Sequence, residues 1–355
     1  MKKLFFIAAI AGVALASCTK NEGAPVADQN EITFAAAIGA ATKATTGELT
    51  DAAYPVSDNF NVYAVWHEGD FAGWNAASLY MDDVETQYDD TFNGWRPIDR
   101  HYWPKNGKMT FAAYSPTDVL NALTHSYGKT GLYVKGFQVE AASEDHVDIL
   151  YSRRSYNKQK GSENTNTPYD EVDIDFEHAL ASIQFTARTA QQYTGTEIRL
   201  KKISIYGVNS KGDFNENITE AAPYQTYTAA PAWTNQGEVV AKADAYVYYD
   251  YTTGQPLTDG KWVMNGVANQ TDLICLPQDL PTTGTVIVTY SINPPGENTP
   301  EVNVTLETSL QTLDVKTWEP GMRYTYHLVI GLDEIYFAPE VAPWDDVDVT
   351  PDIQL

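Results

Sequence analysis

The sequence predicts an all-β protein, and three observations carry that expectation. Apolar and polar residues alternate along many short runs. Gly, Pro and Asn turns separate those runs at short intervals. Tyrosine is abundant at 23 residues, with 8 tryptophans, and long stretches of helical period are hard to find. Many short strands between such turns argue for β-sandwiches.

The elements follow in order. Glu31–Ile38 alternates with Ile32, Phe34, Ala36 and Ile38 on one face, a first strand. Asn61–Trp66 is a second. His101–Pro104 and Met109–Pro116 flank Lys105-Asn-Gly-Lys108, a hairpin signal. Val147–Tyr151 is a short strand, and the polar run Ser152–Tyr169 reads as a loop between two domains. In Val172–Phe185, Val172, Ile174 and Phe176 alternate with Glu171, Asp173, Asp175 and Glu177. Ile198–Tyr206 is a strand and Asn209–Gly212 a turn. Leu273–Leu276 and Thr285–Ile292 are strands, and Val302–Leu306 pairs with the latter. Trp318-Glu-Pro-Gly321 turns into the strand Tyr324–Ile330, followed by Ile335–Phe337 and Trp344. The tail alternates again, with Val347, Val349, Pro351, Ile353 and Leu355 on one side and polar residues on the other. A strand with one apolar face needs a groove to lie in.

Lys2 and Lys3 precede an apolar core, Leu4–Leu15, too short to span a bilayer, so residues 1–17 read as a targeting segment. Leu15-Ala-Ser-Cys18 resembles the lipobox of bacterial lipoproteins, which implies cleavage before Cys18, acylation of its thiol and, with Thr19 following, the outer membrane. The competing reading is an ordinary secretory signal with a chance cysteine. The other cysteine, Cys275, sits in an apolar run and reads as a buried small hydrophobe. Net charge is -24, which makes nucleic acid an unfavourable partner. Lys43 is the one Lys or Arg between Lys20 and Arg96, set in a Gly/Ala/Thr-rich loop. It reads as a trypsin-like protease target, cut between Lys43 and Ala44, against the bland reading of a solvated lysine.

Catalytic and metal signatures are missing. None of the six histidines has metalloprotease or paired-ligand spacing, and no nucleophile elbow or phosphate-cradling loop occurs, so no enzyme, cofactor or metal is expected. Among 47 acids, pairs such as Asp82-Asp83 carry no glycosidase signal. The row Glu171 to Glu177 reads as a solvated edge that deters aggregation rather than a calcium site. Trp74 and Trp95 read as core rather than as a sugar platform.

Four stretches together resemble the fimbrillin-like (Mfa-like) family of Bacteroidales type V pili: His101-Tyr-Trp-Pro with Phe111-Ala-Ala-Tyr-Ser-Pro116, Phe176-Glu-His-Ala-Leu180, Leu276-Pro-Gln278, and Trp318–Tyr326 leading to Trp344. The resemblance implies two tandem transthyretin-like β-sandwich domains, export as a lipoprotein, proteolytic removal of the first strand and polymerisation by strand exchange. Family members are typically cut after Arg; here the residue is Lys43. The expected organisation is a signal peptide (1–17), tether and removable strand (18–43), two domains (44–170 and 171–344) and a donor strand (345–355) using Val347, Val349, Ile353 and Leu355. Its partners are other fimbrial subunits, the outer membrane through lipid, and the processing protease. A monomeric surface lipoprotein binding glycan or a host ligand is the alternative, but it has no need of an amphipathic tail.

Overall fold

The computed structural model describes residues 30–38, 52–161, 171–191, 193–220, 227–258, 272–295, 300–332 and 335–344. Strands dominate, and among the described residues the one α-helix is the short Thr117–Asn121.

Nine strands build the first unit, one of them the two-residue Ala52–Ala53, which pairs antiparallel with Ala37 and Ile38; the others are β1 (Thr33–Ile38), β2 (Phe60–His67), β3 (Leu79–Asp89), β4 (Gly94–Pro97), β5 (Lys108–Ser115), β6 (Leu150–Ser152), β7 (Ser155–Lys158) and β8 (Glu171–His178). Their pairing closes on itself. β1 runs parallel to β8 through six residue pairs, from Thr33↔Glu171 to Ile38↔Phe176. β8 pairs with β6, β6 with β5, β5 with β2, β2 with β3 and β3 with β4. β4 returns to β1 at Phe34↔Trp95. β7 joins the β5 edge beside β6. The sheet therefore has no free edge at β1; both of its sides are taken.

Alternation explains why these segments pair as they do. Phe60, Val62 and Ala64 of β2 point into the ring, as do Met109, Phe111 and Ala113 of β5 and Val172, Ile174 and Phe176 of β8. Tyr63 and Val65, with Ala112 and Tyr114, point outward into a second core. Because β2 and β5 are buried on both faces, they read as nearly continuous apolar runs.

The second core extends through the rest of the chain. Ala181–Thr189 runs parallel to Met322–Ile330, flanked by Leu273–Cys275 and Ile335–Pro343. Glu197–Tyr206 lies between Tyr246–Pro256 and Thr285–Asn293, which pairs with Val302–Ser309. A further sheet joins Thr124–Gly128 and Gly131–Gln138 to Asn209–Asn215 and Ala232–Val239.

Several local expectations change. β8 belongs to the ring and Gly131–Gln138 pairs across to Asn209–Asn215, so 170/171 is not a division between sheets. Val172, Ile174 and Phe176 complete the wall beside β1, which is why β8 lies there. Asn209–Gly212 is strand, not turn. The reversal occurs at Gly207 (φ 77°), where a Cβ would sit 1.9 Å from the Thr283 carbonyl oxygen. The Asn106-Gly107 turn does not join two paired strands, since Tyr102 bridges to Glu31 while β5 pairs with β2. The polar run after Ser152 contains β7, and Arg154 is buried, stacked over Trp74 at 4.7 Å.

Candidate functional site

The site is the slot that holds β1. Its alternation puts Ile32 and Phe34 fully inside, and the Phe34 ring meets Phe60 and Phe111 edge-on at 6.1 and 5.8 Å. Ala36 and Ile38 pack against the same cluster but are only partly buried. On the side away from β8, the Ile32 N–H donates to the His101 carbonyl at 2.9 Å, and the Trp103 N–H to the Asn30 carbonyl at 2.7 Å. The Tyr54 N–H reaches the Ala36 carbonyl at 3.4 Å. The even-numbered residues thus turn their backbone groups toward β4 and its neighbours, and the odd-numbered ones turn theirs toward β8.

An ion cluster pins the start of the strand. The Glu31 carboxylate, 3% exposed, accepts from Arg96 Nη2 at 2.7 and 2.8 Å and from Arg96 Nε at 3.0 Å. Arg100 Nη1 approaches it at 3.3 Å, and Asp89 completes the group at 3.1 Å from Arg96 and 3.5 Å from Arg100. Burial works against ionisation of Asp89. The N–H groups of Phe92 and Thr91 and the two guanidiniums outweigh it and hold that carboxyl below its usual range. Two cations and two anions face each other, and one of the anions arrives on the β1 segment.

Thr33, on the outer face, is 1% exposed beside Glu171. Burial, and next the Asp173 charge, push the Glu171 carboxyl up. The acidic row is therefore not a free edge: with β1 in place, β8 lies inside the sheet. Glu177 takes Arg153 as partner, and among the described residues no group of three ligands could hold a metal.

Of the residues expected to act, Ile32, Phe34, Ala36 and Ile38 are brought together in this slot. Cys18, Lys43, Ala44, Val347, Val349, Ile353 and Leu355 lie outside the described residues. Trp74 and Trp95 are buried, at 8% and 5% exposure, which leaves neither as an open sugar platform. Burial pushes the Cys275 thiol up. His178 and Trp344, from two separate sequence motifs, stack at 4.0 Å, and His178 Nδ1 hydrogen-bonds Asp148. The Trp344 N–H donates to the Gly321 carbonyl at 3.0 Å, so the residue ahead of the tail is held to the body. The Glu31 cluster was missed by strand periodicity. Its one sequence signal is that Arg96 and Arg100 are the first basic residues after Lys43, Lys and Arg counted.

A family model described as fimbrillin-like matches residues 42–344, a span that leaves β1 outside. Among solved structures, a fimbrial protein from Bacteroides vulgatus matches with a TM-score of 0.53 at 16% identity, covering 89% of this chain and 100% of that one. The tip fimbrial protein Mfa3 from Porphyromonas gingivalis, with a C-terminal truncation, gives a TM-score of 0.36 at 10% identity, covering 81% and 94%. No curated protein matches the sequence.

Proposed function

Since this chain belongs to the fimbrillin-like family, we propose that it is a structural subunit of a surface fimbria, non-enzymatic, that assembles by strand exchange. It is exported as a lipoprotein through Cys18 and anchored at the outer membrane. A trypsin-like protease cuts between Lys43 and Ala44, β1 leaves, and the tail carrying Val347, Val349, Ile353 and Leu355 from another subunit replaces it. One observation carries the reading. β1 is an internal stave that precedes Lys43 in the chain, so one cut frees a strand whose loss opens an apolar slot with unpaired backbone on both sides. The uncut ring offers no edge at that place, so processing gates assembly.

Deleting Asp346–Leu355 tests this. Protease-treated subunits without the tail stay folded and monomeric in size-exclusion chromatography and form no filaments in negative-stain images, whereas treated wild-type protein polymerises. Filaments from the truncated subunit would show that the tail is not the donor.

A further inference from the structure

If β1 leaves, the carboxylate of Glu31 leaves with it, and Arg96 and Arg100 are left facing Asp89 alone. Arg96 is 11% exposed, so an unmatched charge there is costly. The incoming strand is therefore required to bring an acid as well as apolar side chains. Building on the strand-exchange reading above, we infer that Asp348–Leu355 of a second copy enters the slot in the register and direction of Glu31–Ile38, with Asp348 on Arg96 and Arg100.

The two segments correspond position by position. Glu31-Ile32-Thr33 meets its equivalent in Asp348-Val349-Thr350. The inward positions of Ile32, Phe34, Ala36 and Ile38 receive Val349, Pro351, Ile353 and Leu355. Thr350 takes the buried position of Thr33, and Gln354 the half-buried position of Ala37.

Other placements fail on charge. Sliding the tail two residues the other way sets Asp346 on Arg96 but puts Asp348 in the buried Thr33 position, against Glu171, whose carboxyl burial already disfavours. Run in reverse, the tail buries Asp352 at the Thr33 position, turns Asp345 inward at that of Ile38, or, with Leu355 at the Ile32 position, sets none of its acidic side chains on Arg96 and Arg100. The inferred register has its own cost. Pro351 falls at the Phe34 position and gives up one N–H on the β4 side, where β1 has a single ladder pair, while the ladder to β8 keeps its donors. One missing ladder hydrogen bond is a smaller penalty than an unpaired buried carboxylate. Val347 then lies in the connector with Asp345 and Asp346. Four Cα steps from Trp344 to Asp348 reach roughly 14 Å, so adjoining subunits dock closely.

Cysteine pairing reads the register directly. Ala35 faces Asp173 across the β1–β8 ladder, so the inferred register sets Asp352 beside Asp173 of the neighbouring subunit. Full-length chains carrying Asp173→Cys with Asp352→Cys are treated with trypsin-like protease, oxidised, and run on a non-reducing gel. A covalent subunit ladder is expected, and Asp173→Cys with Thr350→Cys should give none. The opposite pattern overturns the register while leaving strand exchange standing. Filaments with neither crosslink would likewise overturn the register alone, whereas no filaments from treated wild-type protein, or filaments from subunits lacking Asp346–Leu355, would overturn the strand-exchange reading and the register with it. In parallel, Asp348→Asn should raise the critical concentration for assembly about tenfold, and Asp348→Glu, which restores the residue type of Glu31, should not. Equal assembly by all three forms would remove Asp348 from the Arg96 site.

Discussion

Phe34→Ala tests whether β1 is a stave of the core or a strap laid over it. Phe34 is wholly buried, and its ring is held by Phe60 and Phe111 at 6.1 and 5.8 Å. Phe60 is packed in turn on Trp95 and Phe176, at 5.2 and 5.5 Å, so the walls have little room to collapse into the vacated space. A buried Phe→Ala change under such conditions costs about 3–5 kcal/mol. Domains are typically stable by about 5–15 kcal/mol, so the loss is a large fraction of the total. Urea denaturation of the uncut protein should show it as a lower midpoint with an unchanged slope. The second readout is kinetic. After a cut at Lys43 the strand is held by contacts alone, and losing about 3 kcal/mol of them speeds its release by up to roughly 100-fold. Release of the N-terminal peptide is followed by mass spectrometry, and the lag before filament growth by light scattering. A loss below about 1 kcal/mol with unchanged release would refute the placement of Phe34 in the ring's core.

Other expectations follow from the same chain. Lys43→Gln should leave uncut, membrane-tethered monomers, and N-terminal sequencing of assembled wild-type material should begin at Ala44. Cys18→Ala should leave the protein unacylated with its signal uncleaved, which intact-mass measurement checks against a diacylglyceryl increment on wild type. His146 should make stability fall in mild acid: burial pushes its imidazole from 6.5 down to about 4, while the Ile274 N–H donates to Nδ1 at 3.2 Å. Between those pH values the unfolded chain takes up a proton that the native state refuses, so stability drops by up to about 3 kcal/mol as pH falls through the window. His146→Gln should flatten that slope in denaturation curves measured from pH 7 to 4.

Local alternation made much of the fold legible. Glu31–Ile38, the acidic-apolar β8, Thr285–Ile292 and Tyr324–Ile330 all carry period-2 patterning, and all are strands. β3 escaped because Asp82, Asp83 and Glu85 break the pattern. Asp83 adopts φ 59° and shifts the register against β2, and its carboxylate accepts from Asn61 Nδ2 at 2.8 Å. Asn209–Gly212 has turn composition yet is held as strand by partners on both sides. Turn propensity lost there to tertiary pairing. The slot was legible only in part. The apolar face of β1 shows in its own residues, whereas the Glu31–Arg96 contact joins residues 65 apart and leaves no local pattern. Ring closure is likewise a long-range property, made by β6 meeting β5 and β4 meeting β1.

The outer face of the exchange makes a last demand. β1 presents Thr33, Ala35 and Ala37 beside Glu171, Asp173 and Asp175, small neutral residues against a row of acids. If β1 leaves, that row borders a naked edge, and charge along an edge discourages indiscriminate pairing. A specific donor therefore does best when it is neutral at those three positions. The tail meets the condition with Thr350 and Gln354 and departs from it at Asp352, which would face Asp173. Asp173 is exposed, so the repulsion is that of like charges on facing strands in water, about 0.2–1 kcal/mol. Asp352→Asn should remove it and lower the critical concentration for assembly by up to about fivefold. The gain should shrink at high salt, where the wild-type repulsion is already screened. Asp352→Asn subunits that assemble less readily than wild type would show that Asp352 does not face the acids of β8.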